Sequence, residues 1–237
     1  MFEANRDQEL ISSDRLNSPG STQVNWVVNA WNSAALDVLD YQWSVAVPFW
    51  QDIDKLAADH DVTVALELHP QNLVFNTADV FKLVELTGAT HIGVELDASH
   101  LFWQQMDPVA VVRALGPLVF QAAAKDVRVN EEYAKLYGVL DNRFRRLSPD
   151  EPRVNLGGDE WANEWPKESA WDFVALGRGH DTAFWTEFLR ALYEVDPGML
   201  VNIEHEDVSL GRIEGLEVAA KVLRDADAAL TASLATA

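Results

Sequence analysis

Carboxylates, histidines and one lysine recur in this chain at the ends of four apolar runs. VTVALELH carries Glu67 and His69, HIGVELDASH carries Asp97 and His100, VFQAAAKD ends in Lys125 and Asp126, and MLVNIEHED carries Glu204 and His205. A carboxylate at the end of an apolar run is costly to bury unless it is paired or bound to a cation. Meeting a lysine or solvent would explain any one of them; the repetition at Glu67, Asp97 and Glu204 points to a shared metal site. Carboxylates with a histidine suit Mn²⁺, Mg²⁺, Co²⁺ or Zn²⁺. Two glutamates, Glu67 and Glu204, on opposite sides of a hydroxy-ketone could also exchange a proton at the carbon next to the carbonyl, with the metal stabilising the enediolate oxygens. That is isomerase or epimerase chemistry.

The remaining polar residues have more than one reading. His100 lies three residues after Asp97, beyond the strand, within reach of a substrate hydroxyl. His69 and His205 follow Glu67 and Glu204 by two and one residues, and successive strand residues face opposite sides, so adjacent residues cannot both point inward. Lys125 and Asp126 form a positioning pair or a simple ion pair, and Lys125 could hold a substrate oxygen or phosphate. His180 contacts substrate or closes a loop. Phe102, Trp103, Trp161, Trp165 and Trp171 would suit the apolar face of a sugar ring, or they pack against one another.

The elements that must position these residues follow from spacing. Glu67 to Asp97 and Asp97 to Asp126 are 30 and 29 residues apart, close to the roughly 31 per unit of an eight-unit barrel of about 250 residues. Polar groups at the carboxyl ends of parallel strands are where barrel enzymes keep their chemistry. An apolar stripe predicts a helix over residues 33–60, kinked or divided by Pro48. Thr77 can cap a second helix that Gly88 ends, and Asp107-Pro108 starts a third that Gly116-Pro117 closes. Asp181 caps a fourth, and a fifth runs from about Arg212 through Leu223 before a fraying tail, 226–237. Residues 1–24 read as an arm or loop, VNWVVNAW as a short strand or aromatic loop, and 127–179 as a long loop within a partial barrel over 25–225. Strand, helix, strand is the grammar of an α/β parallel barrel. Four convincing strands do not make eight, however, so the expected fold is an incomplete barrel with unpaired edges and an exposed apolar interior face.

Composition bounds the partners. With 38 acidic and 18 basic residues the formal charge is −20, and no lysine or arginine run offsets it. Binding to nucleic acid or to an anionic membrane needs clustered positive charge, and is disfavoured. The absence of cysteine removes disulfides and thiolate ligands and fits a reducing compartment. The N-terminus has no signal-peptide pattern, which makes the cytoplasm the default location. A half barrel implies a homo-oligomer or a completing partner chain.

At these residues the chain resembles the sugar phosphate isomerase/epimerase family, the xylose isomerase-like TIM barrels. The motifs are NWV, Tyr41-Gln42-Trp43, ALELHP, LDASHLFWQQMDP, AAAKD, GVLD, GRGHDTAFW and IEHED, over roughly Asn25 to Leu223. The resemblance implies strands five to eight of such a barrel and a divalent metal held by Glu67, Asp97 and Glu204. It also implies His100 as a substrate-side histidine and a small-molecule sugar substrate. Many relatives carry HxHxKD where this chain has Gln121-Ala122-Ala123-Ala124-Lys125-Asp126, so Ala123 stands where a histidine ligand would be. The fourth ligand is then water, Gln121, a nearby histidine or nothing. The implied reaction is isomerisation or epimerisation of a sugar; a lyase acting on an oxidised sugar is related. A degenerate half barrel that binds a partner is the non-catalytic alternative, and an endonuclease IV-like role is disfavoured by the net charge.

Overall fold

The computed structural model describes Val27 and residues 29–153, 155–157 and 160–236. The proposed arm 1–24 and most of VNWVVNAW lie outside the described residues; Val27 and residues 29–31 form no strand. The first element, α1 (Ser33–Asp59), starts at Asn32, whose side chain accepts from Ala35 N–H, and runs unbroken through Pro48. Proline removes one helical hydrogen bond; packing of Trp43, Ala46 and Ala57 into the core keeps the helix whole, correcting the expected division.

Alternating strands and helices follow: β1 (Val64–Glu67), α2 (Thr77–Thr87), β2 (Ile92–Asp97), the short α3 (Ala98–Phe102), α4 (Pro108–Leu115) and β3 (Val119–Ala124). The cap of α2 is Asn76, one residue before the expected Thr77, because its side-chain oxygen accepts from Asp79 N–H. Gly88 ends that helix at φ +69°, a conformation open to glycine. Asp107 caps α4, with Pro108 in its first turn and Gly116 closing it, as the sequence predicts.

Residues 127–179 are not a plain loop. They contain most of β4 (Asp126–Val129), α5 (Glu131–Tyr137), β5 (Asn155–Gly157), β6 (Glu160–Trp161) and β7 (Trp171–Val174). β4 pairs with β7 antiparallel, placing Val127 opposite Phe173. After them come α6 (Thr182–Val195), capped by Asp181, then β8 (Val201–Ile203) and α7 (Arg212–Leu234). The alanine-rich tail continues α7 past Leu223: Ala226 and Leu230 are buried, and α6 and α7 pack together. Small residues permit that close approach, which is why the expected fraying is not seen.

The main sheet is parallel, in the order β1-β2-β3-β8. It is the open half of a barrel. One face carries Ile92, Val94, Leu96, Ala122 and Ala124 into the core with α2, α4 and α6. The other carries, by alternation and register, Ala65 and Glu67, Gly93, Glu95 and Asp97, Gln121 and Ala123, and Asn202. The interior face is therefore small and polar, where an apolar one is expected. No described helix is long and apolar enough to cross a membrane.

His205 shows how tightly the helices seat. Its ring is turned away from the interior and occupies the space a Cβ on Gly215 of α7 would need: that Cβ would fall 1.9 Å from the imidazole. Gly215→Ala must displace the half-buried His205 ring or shift α7, and we expect a destabilisation of about 1–3 kcal/mol, measured by urea unfolding. An unchanged midpoint would mean the ring moves freely.

Candidate functional site

The carboxyl ends of β1, β2 and β3 bring four of the expected residues together. Asp97 closes β2 and begins α3; its Oδ1 accepts from Ser99 N–H at 2.8 Å. That turn places His100 back over the strand ends. His100 Nε2 lies 3.3 Å from Glu67 Oε1 and 3.3 Å from Asp97 Oδ2. The three side chains form a group whose ligand atoms lie within 4.8 Å of one another. Lys125, next after β3, reaches in from the other side, 3.7 Å from Asp97 Oδ2. It donates to Glu204 at 3.3 Å and to Glu206 at 2.9 Å.

Burial and charge oppose each other at these groups. Asp97 is fully buried, and burial pushes its pKa up against the opposing pull of His100, Lys125 and the Ser99 hydrogen bonds. Its Oδ2 has no hydrogen-bond partner among the described residues. Glu67 is held below the usual carboxylate range, first by its hydrogen bond to His100, with burial acting the other way. Lys125 is raised: burial lowers it, but Asp97, Glu206 and Glu204 together outweigh that. His69 is lowered by burial and by the neighbouring His100. The two rings lie 4.1 Å apart. His69 Nδ1 faces the carbonyl of Pro70, which can only accept, so Nδ1 carries the proton and Nε2 keeps its lone pair.

Two expected residues stand differently. Glu204 is engaged by Lys125, and among the described residues the candidate ligand atoms that converge are those of Glu67, Asp97 and His100. His180 is bound elsewhere: its Nδ1 lies 2.7 Å from Asp126 Oδ1, and its ring stacks 3.7 Å over Phe102. Asp126 Oδ2 in turn accepts the N–H groups of Gly177, Gly179 and His180, tying the loop before α6 to β4. Gly179 is required there, since a Cβ would fall 2.2 Å from the Val127 carbonyl oxygen.

Ala123 is buried and paired in register with Asp97 on one side and Asn202 on the other, so it offers no ligand. Gln121 pairs with Glu95, two residues below that level. Glu95 itself has a raised pKa, from burial and from Glu204 and Glu67. Glu95, Gln121 and Asn202 were legible by counting back in twos from Asp97, Ala123 and Glu204; Phe173 and Glu206 were not. Two carboxylate oxygens and one imidazole, with an unpartnered buried oxygen among them, fit a divalent cation.

Among known proteins, the chain is 29% identical over 219 residues to the uncharacterized protein YfiH of Bacillus subtilis (strain 168), covering 91% of this chain and 64% of that protein. Solved structures that resemble it include the probable 3-DHS dehydratase AsbF of Bacillus anthracis (17% identity, TM-score 0.49, covering 79% of this chain and 56% of that one). An L-ribulose 3-epimerase is similar (14%, 0.48, 92% and 63%), as is an IOLI protein with a bound zinc atom (18%, 0.47, 84% and 60%). The chain thus spans less than two thirds of the length of each of these relatives. The model of one family, however, matches residues 6–226, nearly the whole chain: the protein belongs to the xylose isomerase-like TIM barrel family.

Proposed function

We propose that this chain carries the cation-binding part of a divalent-metal-dependent isomerase or epimerase acting on a sugar or sugar derivative. The observation that carries the reading is the convergence of Glu67, Asp97 and His100 at the strand ends, with a buried Asp97 oxygen left without a hydrogen-bond partner. When bound, the cation would polarise a carbonyl oxygen and offset the charge of an enediolate. Glu67 and Asp97 supply the negative ligands and His100 the third. Lys125 holds Glu204 at 3.3 Å, fixing a carboxylate where it can take a proton from the carbon beside the carbonyl and return it to the neighbouring carbon on the same face, which is isomerisation; epimerisation would need a second acid on the opposite face. His69, with Nε2 free to accept, orients a substrate hydroxyl.

Calorimetric titration with Mn²⁺ tests the reading. One ion per site is expected, with binding weakened by acid as the ligands protonate. No binding in any buffer would overturn it and leave the non-catalytic alternative, which Ala123 favours by withholding a fourth ligand: a half barrel that serves a completing chain.

A further inference from the structure

Phe173 reaches the site from a stretch in which the sequence shows no clear period. β7 pairs with β4, and that pairing swings the Phe173 ring against the end of β3. Its centroid lies 4.4 Å from Lys125 Nζ and 5.8 Å from the His100 ring, edge-on. Trp171 and Trp165 brace it at 5.2 and 5.9 Å, also in edge geometry. An ammonium over an aromatic face is attracted to it, so Phe173 both restrains Lys125 and presents an apolar wall beside the candidate cation ligands.

The charges around that wall are already committed. Glu67, Asp97, Glu204 and Glu206 surround the Lys125 ammonium, which donates to two of them, and Glu95 adds a further carboxylate on the same sheet face. Three arginines on the flanking segments are engaged as well: Arg128 with Asp172, Arg143 with Asp141, and Arg178 with Asp207. Carboxylates outnumber cationic groups, and a phosphate or carboxylate on the substrate would enter against that field.

We propose that Phe173 is a specificity-determining residue, whose ring beside a cluster of carboxylates makes this site select an uncharged polyhydroxy ketone or aldehyde over its phosphorylated or carboxylated counterparts. The proposal rests on the site being the sugar-binding site described above. C–H groups of the sugar pack against Phe173 while its hydroxyls reach His69 and Glu204.

The test is titration of the whole chain, in saturating Mg²⁺, with D-fructose, D-fructose 6-phosphate and D-gluconate, followed by saturation-transfer NMR. Fructose should bind at least about tenfold more tightly than either anion. Phe173→Ala should weaken fructose binding several-fold, and Phe173→Tyr should retain it, with Mg²⁺ affinity unchanged in both. If Phe173→Ala does not fold, Phe173→Leu keeps an apolar side chain without the ring and should also weaken fructose binding. Equal or tighter binding of either anion, no effect of removing the ring, or no binding of any of the three probes would overturn the proposal. A separate cation titration distinguishes the two readings: fructose binding that depends on Phe173 without any cation binding supports this proposal and overturns only the metal-dependent one.

Discussion

Asp97→Asn is expected to abolish measurable cation binding while leaving the protein folded. The side chain has two duties on two different atoms. Oδ1 accepts from Ser99 N–H at 2.8 Å and starts α3, and asparagine caps a helix about as well as aspartate. Oδ2 faces His100 and Lys125 from full burial without a hydrogen bond, and an amide there supplies no charge. Loss of outer-shell partners alone costs ~10–100-fold in metal affinity, so loss of a ligand should exceed about 100-fold. The amide removes one of the three carboxylates around Lys125 and leaves Glu204 and Glu206, so in chelator the variant should melt below the original protein but still cooperatively. Excess cation should then separate them further: at 100 times its dissociation constant a ligand stabilises the folded state by ~2.7 kcal/mol, and the variant should gain none of it. A cation-dependent rise in Tm that survives in Asp97→Asn would place the ion elsewhere.

Lys125→Met is expected to destabilise the folded protein. The ammonium is nearly buried, with a side-chain exposure of 4%, and it sits among Asp97, Glu204 and Glu206. Removing one partner from a buried ionic cluster typically costs ~3–5 kcal/mol, because the charges left behind are uncompensated. Glu204 and Glu206 are 35% and 48% exposed, and solvent screens them, so about 2 kcal/mol is the expected loss. The pH dependence has a definite sign. The folded-state pKa of Lys125 is raised, so its contribution is fully present below the unfolded value, about 10.4, and is lost as pH rises through the folded one. The stability gap between the protein and the variant should hold at neutral pH and close in strong alkali, as read from urea midpoints across pH. Added Mn²⁺ should recover part of the loss by supplying positive charge beside Asp97. A variant as stable as the original at pH 7 would show that solvent already balances the three carboxylates.

Much of this arrangement was legible in the order of residues. The parallel strands and the caps at Asp107 and Asp181 follow from local chemistry, alternation and helix-start signals, which act over a few residues. The convergence of Glu67, Asp97 and Lys125 follows from their common place at strand ends. Other features depend on partners distant in sequence. That α1 continues through Pro48 depends on its core face; that α7 runs to Leu234 depends on α6, against which Ala226 is buried. Phe173 was invisible because only pairing with β4, whose own residues look like loop, gives it a direction. His180 had two readings, and only its bond to Asp126, 54 residues away, gives the ring its direction, toward Phe102.

The polar interior of the open sheet bears on how a barrel could be closed around it. β1 and β8 are the lateral edges of a four-stranded parallel array, and a second array of like direction could hydrogen-bond to both. Were that array another copy of this chain, two sets of Glu67, Glu95, Asp97 and Glu204 would confront each other across one lumen, adding to a formal charge of −20 on each copy. Such a closure repels itself unless cations fill the lumen. A dissimilar segment carrying lysines or arginines would meet no such penalty.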